Sequence, residues 1–409
     1  MVPAAPVLIP RAVCTVTDTI HSEPKRILFV QMGDYRDAYQ RLRDGLPETY
    51  RDQKRSVEFV ASLANRAETT TLSLTDADYE TVLGPHLHAC GMKRDTLSRQ
   101  AIDGFFDRYR PSHVILRTPH PEFLRAARRS GACVLPTFAD IFKSGGVKSF
   151  FRNRKIRSAL RGAQAVCYSN HSLNASLSMA ECLKLPPQQI VPWDWAEVPL
   201  AGPGKPSIKD VTAPRIMYAG VLSEAKGVGD LIHAVAQLAG MNIKAHLSIA
   251  GPGDPAPFAD SARQLGVAGQ VHFIGLLPNT EVRAQMHAHD IVVVPSRASY
   301  PEGLPNTIYE GLASRSALVI SDHPAFSSRF TSGEDAIVFE NANPEALVRG
   351  IRQLLEEDGV YQRISHNAEA ALANLYVGLE WTELVTLFLD DPYNKSGWVE
   401  KNALTHLVQ

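Results

Sequence analysis

Residues 290–321 read DIVVVPSRASYPEGLPNTIYEGLASRSALVIS, and this stretch decides the fold. An apolar run ends at Pro295, a polar loop continues to about Pro305, and a helix is predicted from Asn306. A second apolar run follows at Ala317. Short apolar runs separated by helical patterns are typical of a parallel sheet covered on both faces. The loop and the helix start therefore lie at a strand's carboxyl end, where such sheets bind ligands.

The same alternation runs through both halves of the chain and predicts two doubly wound α/β units. Strands are predicted over 26–32, 113–117, 133–138, 165–169, 215–220, 244–251, 271–275, 291–295, 317–321 and 336–339. Helices are predicted over 97–109, 121–130, 150–162, 229–239, 257–265, 280–288, 306–313, 344–357, 361–374 and 380–389.

The length of the chain indicates two domains. A single core rarely grows past roughly 250–300 residues, and this chain has 409. The stretch 198–214 is rich in Pro, Gly and Lys and has no periodicity, so it is typical of an inter-domain linker. We predict an N-terminal arm (1–24), a first domain (25–200), a linker (201–213), a second domain (214–379) and a closing segment (380–409). Two such domains leave a cleft between them, which is a usual place for a ligand.

Composition narrows the class of protein. Hydrophobic residues make up 44% and charged residues 21%, which is a globular composition. The formal net charge of −1 provides no global field for nucleic acid, so no nucleic-acid partner is expected. The five cysteines are widely spaced without a CxxC pair, which argues against a disulfide framework or a cysteine zinc site. No signal peptide or membrane-spanning run is predicted, so we expect a cytoplasmic protein. Peripheral contact with the cytoplasmic face of a membrane remains open, and the oligomeric state is not indicated.

Two carboxylates, Glu302 and Glu310, flank the predicted helix start. Free N–H groups and the helix dipole attract phosphate there, and Gly303 allows the backbone to approach a ligand closely. Glu310 follows Asn306 by one turn and can face the same cleft, where a carboxylate can accept ribose hydroxyls. Glu302 in the loop can accept sugar hydroxyls. A solvated loop acid and a surface helix residue explain the same spacing, so spacing alone leaves both interpretations open.

Two other loops join a strand to a helix. In YAGVLSEAKGVGDLI (218–232), Lys226 can neutralise a diphosphate at the helix start. The loop is not a Walker A motif, because Ala225 precedes the lysine and Gly227 follows it. IAGPGDP (249–255) is a glycine turn after a strand. A surface lysine and an ordinary turn are the alternative interpretations.

In this order, the segments resemble the retaining nucleotide-sugar glycosyltransferases of family four, which have the GT-B fold. The resemblance covers about 206–358. It includes YAGVLSEAKGVGDLIHAV, LSIAGPGD, VHFIGLLPNTEV, GEDAIVF and NPEALVRGIRQLL besides the stretch quoted first. The segment EWTELVTLFL (380–389) is similar to the family's closing helix, which returns to the first domain. The resemblance implies two Rossmann-like domains facing each other across a cleft. It also implies hexose transfer with retention from a UDP- or GDP-sugar to a glycan or lipid-linked saccharide, in surface polysaccharide biosynthesis.

The resemblance implies roles for individual residues. Glu302 would contact the donor sugar, Glu310 the ribose, and Lys226 the diphosphate. His120 would be the polar group near the anomeric carbon, the alternative being a loop or helix-capping histidine. Further donor-site residues implied are Gly303, Leu304, Pro305, Asn306, Thr307, Gly251, Gly253, Leu276 and Leu277. Gly33 and Asp140 would lie on the acceptor side of the cleft. No cofactor is expected beyond the donor substrate, and no metal, because no acidic D-x-D cluster is found at the end of a predicted strand.

One departure from the family concerns charge. The family usually has an arginine where this chain has Val221, so one of two cations on the leaving diphosphate is missing. Arg315, at a position where the family favours glycine, is a candidate replacement. The departure leaves open a second hypothesis, a nucleotide- or glycan-binding homologue that has lost turnover. A sugar epimerase of the same fold would need basic and histidine groups that the second half of the cleft lacks.

The stretch KSGGVKSFFRNRKIRSALR (143–161) contains no acidic residue. A basic amphipathic helix with aromatic residues can lie on an anionic membrane or hold a lipid-phosphate acceptor. The alternative is a solvated helix that buries its apolar stripe in the domain. An RNA-binding surface would need aromatic residues exposed on a sheet, for which the sequence gives no sign. The cations are Lys143, Lys148, Arg152, Arg154, Lys155, Arg157 and Arg161, and the apolar residues are Val147, Phe150, Phe151, Ile156 and Leu160.

Overall fold

The computed structural model describes residues 24–300 and 302–407. The predicted N-terminal arm lies outside the described residues except for Pro24. The described chain forms two α/β units, one around a nine-stranded sheet and one around a six-stranded sheet. The predicted fold class is therefore confirmed.

The first sheet has the order β3-β4-β2-β1-β5-β6-β8-β9, with β7 paired beside β6. All neighbouring strands are parallel except the pair β3 and β4. The strands are β1 (Arg26–Met32), β2 (Glu68–Thr75), β3 (Tyr79–Gly84), β4 (Leu87–Lys93), β5 (His113–Leu116), β6 (Cys133–Phe138), β7 (Gln164–Ala165), β8 (Tyr168–His171) and β9 (Ile190–Trp193). The helices are α1 (Tyr35–Arg43), α2 (Gln53–Leu63), α3 (Arg99–Tyr109), α4 (Pro121–Ser130), α5 (Val147–Gly162) and α6 (Leu173–Leu183).

The sequence interpretation was wrong at three places in this sheet, one of which is the edge strand β9, which was not predicted. The predicted strand 165–169 is split into β7 and β8, because β7 pairs with the start of β6 whereas β8 pairs with its end and with β9. The central strand β2 and the antiparallel hairpin of β3 and β4 were not predicted. The buried positions of β2 include Thr69, Thr71 and Ser73, so it lacks the apolar run that marks a strand.

The second sheet has the order β12-β11-β10-β13-β14-β15 and is parallel throughout. Its central strands β13 and β14 are apolar runs buried along their whole length, as expected for a sheet covered on both faces. The strands are β10 (Arg215–Ala219), β11 (His246–Ala250), β12 (Val271–Gly275), β13 (Ile291–Val294), β14 (Ala317–Ser321) and β15 (Ile337–Phe339). The helices are α7 (Val228–Gly240), α8 (Ala256–Gln264), α9 (Asn279–Ala288), α10 (Asn306–Ala313), α11 (Pro344–Glu356) and α12 (Val360–Leu375).

The chain crosses between the two units twice, and both crossings meet at Asp194. The Asp194 N–H donates to the carbonyl of Leu379 at 2.9 Å, and the Trp381 N–H donates to the carbonyl of Asp194 at 2.9 Å. The closing helix α13 (Trp381–Asp390) then packs in the core of the first unit, where Trp381 contacts Phe29. The prediction that this helix returns to the first domain is confirmed. A short helix α14 (Trp398–Lys401) follows.

None of the helices among the described residues combines the length and apolar character needed to cross a membrane.

Candidate active site

A cavity of about 480 Å³ lies between the two units, at the carboxyl ends of β10, β11 and β12. Loops after these strands and the start of α10 form most of its wall. The first unit closes one side with the segment 49–51. This is the edge of a parallel sheet at which α/β proteins bind ligands. Six residues predicted for the donor site line the cavity: Gly251, Leu276, Leu277, Asn306, Thr307 and Glu310.

Glu310 forms a buried acid in the wall of this cavity. Only 4% of the residue is exposed, and the Asn279 side-chain amide donates a hydrogen bond to its Oε1. Burial raises the pKa of Glu310 to about 7, while the Asn279 hydrogen bond and the nearby Arg51 charge oppose that rise. A carboxylate in this position can accept two ribose hydroxyls, and their hydrogen bonds would favour its ionised form.

The start of α10 is tied to the end of β10. The Thr307 hydroxyl donates to the carbonyl of Ala219 at 3.0 Å, so Asn306 and Thr307 border the cavity. The first N–H groups of a helix have no intrahelical partner and form an anion-binding site. Leu304 and Pro305 are buried beneath this turn, with Leu304 in an apolar cluster that includes Ile308. They support the helix start instead of lining the cavity.

Lys226 and Glu302 form an ion pair between Nζ and Oε1. Their side chains are only 14% and 9% exposed, and the Lys226 ammonium also lies 4.6 Å from the centre of the Tyr300 ring. The other carboxylate oxygen of Glu302, Oε2, is buried without a hydrogen-bond partner among the described residues. The pair thus offers both a cation and an unused acceptor.

Local packing brings the two loops of this pair together. Gly227 has φ +76°, and a Cβ there would lie 2.2 Å from the carbonyl oxygen of Pro295, so only glycine allows this approach. The Arg297 N–H donates to the carbonyl of Ala225 at 3.0 Å. The Arg297 guanidinium bonds the Asp230 carboxylate at 2.7 and 2.8 Å. Arg297 therefore holds the two loops together.

The glycine turn after β11 is equally crowded. Gly251 has φ +137°, and a Cβ there would lie 1.9 Å from the carbonyl oxygen of Gly220. Gly253 packs against Leu222 and does not line the cavity. Leu276 and Leu277 provide an apolar end of the cavity, a suitable place for a planar base.

The first unit meets the Glu302 loop at residues 139–143. A Cβ on Gly303 would lie 3.1 Å from the carbonyl oxygen of Ala139, and Lys143 Nζ donates to the carbonyl of Ala298 at 2.6 Å. Asp140 follows Ala139, and its backbone N–H is held by Asn170 Oδ1 at 3.2 Å. Burial raises the pKa of Asp140, and the charge of Arg152 opposes that rise. Asp140 thus lies next to the point where the units touch.

His120 and Gly33 lie outside the 480 Å³ cavity. His120 precedes the first residue of α4 but makes no capping hydrogen bond, and its ring packs edge-on against Phe123. Burial lowers the pKa of His120, and its Nδ1 is buried without a partner among the described residues. Gly33 has φ +82° and lines a separate cavity of about 120 Å³, which shares Tyr50 with the larger one.

Arg315 does not replace the cation that the family resemblance leads us to expect at the position of Val221. Val221 is 44% exposed on the cavity wall, where it offers no charge. Arg315 is buried and bonds the carbonyls of Gly202 and His366 and the carboxylate of Glu369. The expectation that it could serve the cleft is wrong, because these contacts hold it between the linker and α12.

Sequence reasoning missed Arg51, which lines the cavity from the first unit. It lies between α1 and α2 in a segment that follows no predicted strand end, so no local signal marks it.

The apolar residues of helix α5 fall into a buried group and an exposed group. Ile156 and Leu160 are buried in the core of the first unit, whereas Val147, Phe150 and Phe151 are exposed, the two phenylalanines at 61% each. The interpretation in which the whole apolar stripe is buried is therefore wrong for the first turn of the helix. The exposed cations around it are Lys148, Arg152, Arg154 and Lys155, with Arg157 half-buried.

Comparison with known proteins finds similarity in the second unit. Residues 205–371 match the family described as glycosyl transferases group 1. Over 172 residues it is 29% identical to glycogen synthase of Mycobacterium tuberculosis, covering 42% of this chain and 40% of that protein. Over 167 residues it is 29% identical to the lipopolysaccharide core biosynthesis glycosyltransferase LpsE of Rhizobium meliloti, covering 40% of this chain and 46% of LpsE. The match thus spans less than half the length of these group 1 relatives.

Solved structures share the fold of most of this chain. Sucrose-phosphate synthase from Thermosynechococcus elongatus superposes with a TM-score of 0.64 at 14% identity, covering 91% of this chain and 100% of that one. Anabaena HepE in complex with UDP gives a TM-score of 0.61 at 14% identity, with 91% and 100% coverage. At these identities the likeness shows a shared fold, the two-domain GT-B arrangement.

Proposed function

We propose that the protein is a retaining glycosyltransferase that transfers a hexose from a UDP- or GDP-sugar to a hydroxyl acceptor. The acceptor we propose is a glycan or a lipid-linked saccharide in surface polysaccharide biosynthesis. One observation carries the proposal: the nearly buried Lys226–Glu302 ion pair and the cavity that presents the buried acid Glu310 both lie at the carboxyl ends of strands of the second sheet. A sugar-binding acceptor (Glu302), a cation (Lys226) and a ribose-binding acceptor (Glu310) would then match the sugar, the diphosphate and the ribose of a nucleoside diphosphate sugar.

In this proposal the donor lies along the cavity. Its base occupies the end at Leu276 and Leu277, its ribose meets Glu310, and its diphosphate meets the start of α10 and Lys226. The ammonium of Lys226 turns from Glu302 to the phosphate, where it stabilises the charge that develops as the phosphate leaves. Glu302 is then free to accept hydroxyls of the sugar.

The proposed reaction is a front-face displacement. The bond between the anomeric carbon and the diphosphate oxygen breaks through an oxocarbenium-like transition state. A bond forms to the acceptor oxygen on the same face, and the acceptor proton passes to the departing phosphate. The contacts of Gly303 with Ala139 and of Lys143 with Ala298 support closure of the two domains around the reacting atoms, which would exclude water.

The first domain is the part of the protein that we propose to bind the acceptor. Asp140 and His120 follow the neighbouring strands β6 and β5 and are candidates to meet the acceptor. The exposed Val147, Phe150 and Phe151 stand among cations at the start of α5, a combination that suits contact with an anionic membrane. A lipid-linked acceptor would be held near the cleft by such contact.

Similar proteins support the reaction class. Lipopolysaccharide core biosynthesis is printed in the name of LpsE, and Anabaena HepE has been solved with UDP-glucose. We extend to this chain the use of a nucleotide sugar and a surface-glycan acceptor.

A second candidate function is binding of a nucleotide or glycan without turnover. The exposed Val221 favours it, because Arg315 does not replace the missing cation. The leaving diphosphate would then have less charge stabilisation than in the family as a whole.

The test is release of nucleotide from a panel of UDP- and GDP-sugars by the full-length protein, with and without saccharide acceptors. We expect release with one donor, and a loss of about 100-fold or more in Glu302→Gln and Lys226→Met. Glu356→Gln, which changes an exposed acid on α11, should keep wild-type activity. Binding of UDP or GDP without release under any condition would support the second candidate. Failure to bind either nucleotide would overturn the transferase and leave only the glycan-binding form of the second candidate.

A further inference from the structure

Arg51 belongs to the first unit but forms part of the wall of the donor cavity. It is only 6% exposed, and its guanidinium lies over the ring of Tyr309, 4.1 Å from the ring centre. Tyr309 directly precedes Glu310 on α10. Arg51 and Glu310 both line this cavity, and the Arg51 charge opposes the rise in the pKa of Glu310.

The guanidinium has unused hydrogen-bond donors. Its Nη2 donates to Asp194 Oδ1 at 3.3 Å. That oxygen also bonds the His171 Nε2 and the Trp195 N–H, at 3.1 and 2.7 Å. The Nε and Nη1 of Arg51 are buried without a hydrogen-bond partner among the described residues. Buried donors on a charged group are costly to leave unpaired, so a ligand with acceptor oxygens would bind there favourably.

The segment around Arg51 is held against the second unit. The Asn279 N–H contacts the carbonyl of Glu48 at 3.4 Å, and Thr49 and Tyr50 line the cavity with Arg51. On the side of the inter-domain crossing, Asp52 Oδ2 accepts from the Ala196 N–H at 2.8 Å. These contacts hold the segment in the wall of the cavity that Val221 and Leu276 also line.

We propose that Arg51 is a donor-contacting residue supplied by the first domain, and that its Nε and Nη1 bind oxygen atoms of the nucleoside diphosphate. The inference rests on the proposed function, because it assumes that the cavity holds the donor. It adds a cation to the site that lacks one at Val221. It also makes the nucleotide a bridge between the domains, because the same guanidinium is anchored to Asp194, where both chain crossings meet.

The first test compares Arg51→Met with Arg55→Met. Arg55 lies four residues after Arg51, in the first turn of α2, and pairs with Glu380. It does not line the cavity, so its replacement controls for the loss of a nearby arginine. Titration calorimetry measures the affinity for UDP or GDP, whichever binds the wild type, and for the matching nucleoside. We expect Arg51→Met to weaken diphosphate binding at least ten-fold and Arg55→Met to change it less than two-fold.

The nucleoside measurement locates the contact. A loss confined to the diphosphate places Arg51 at the phosphates, and an equal loss for the nucleoside places it at the ribose. Unchanged affinity for both ligands, in an Arg51→Met protein that unfolds at the wild-type temperature, overturns the inference.

A second test needs no substitution, in case Arg51→Met fails to fold. Hydrogen–deuterium exchange of the wild-type protein is followed with and without saturating UDP or GDP. We expect slower exchange in both 48–52 and 306–310. Protection of 306–310 alone overturns the role of Arg51 and leaves the proposed donor site standing. Protection of neither segment by a bound nucleotide overturns the proposed donor site itself.

Discussion

Lys226 and Glu302, 76 positions apart in the chain, form a nearly buried ion pair in the second domain. Each belongs to a loop at the carboxyl end of a strand of the second sheet, and the glycine contact between Gly227 and Pro295 keeps the loops in place. The pair neutralises two nearly buried charges. In the proposed function, donor binding exchanges this contact for contacts with phosphate and sugar.

Replacing Lys226 with Met should lower the free energy of unfolding by about 3 kcal/mol, because it leaves the Glu302 carboxylate nearly buried without a counter-charge. Urea denaturation measures the change. The double variant Lys226→Met/Glu302→Leu should recover most of the loss, because it removes both charges. A Lys226→Met protein as stable as the wild type would contradict the buried ion pair.

Stability should fall with rising pH because of Glu310. Its pKa is raised from an ordinary 4.5 to about 7 in the folded protein, so the native state holds this proton more tightly than the unfolded chain. The resulting stability is fully present below pH 4.5 and is lost as the pH rises through 7, by about 3 kcal/mol. Between pH 5 and pH 8, the melting temperature of the wild type should therefore fall relative to that of Glu310→Gln.

The exposed Glu356→Gln variant provides the control for this experiment. Its melting temperature should follow that of the wild type across the same pH range. A constant difference between the wild type and Glu310→Gln at all pH values would show that Glu310 does not hold its proton in the folded state.

Gly303→Ala should reduce activity more than stability. The new Cβ would lie 3.1 Å from the carbonyl oxygen of Ala139 on the other domain, so the domains would have to separate by a few tenths of an ångström. We expect kcat/KM to fall roughly ten-fold, the range for small misplacements of reacting groups, with little change in melting temperature. Gly240→Ala, at a position with open space around it, should leave both quantities unchanged. Wild-type kcat/KM in Gly303→Ala would argue against closure at this contact.

The start of α5 should bind anionic vesicles. Phe150 and Phe151 are exposed beside Lys148 and Arg152, so sedimentation with vesicles containing phosphatidylglycerol should exceed that with phosphatidylcholine alone. It should weaken as salt is added. Phe150→Ser/Phe151→Ser should lose at least five-fold in binding, whereas Met241→Ser, at an exposed apolar position of the second domain, should not. Equal sedimentation with both vesicle types would contradict the proposal that the start of α5 contacts an anionic membrane.

The sequence predicted the second domain better than the first for a physical reason. Its strands β13 and β14 are continuous apolar runs buried on both faces, which is the clearest pattern that a strand can show. In the first domain, β2 uses threonine and serine at buried central positions, so hydrophobic periodicity does not mark it. In the edge hairpin, β3 consists of exposed and half-buried residues and β4 mixes buried with half-buried ones, and β4 pairs with the unpredicted β2.

Some residues of the candidate site could be predicted from the sequence, and others could not. Strand ends and helix starts are local features, so the positions of Glu310, Thr307 and Gly251 around one cavity follow from the alternation of strands and helices. The place of Arg51 does not, because only the packing of one domain against the other brings it to α10. The direct pairing of Lys226 with Glu302 also depends on tertiary structure. The chemical roles of these residues remain predictions.

The most direct measurement is a crystal structure of the protein with a bound nucleoside diphosphate, UDP or GDP. The account predicts the diphosphate at the start of α10 within hydrogen-bond distance of Lys226 Nζ, with the ribose hydroxyls on Glu310. The ion pair of Lys226 with Glu302 should then be broken. A nucleotide bound outside the cavity, or bound inside it with that ion pair intact and no contact to Glu310, would contradict the account.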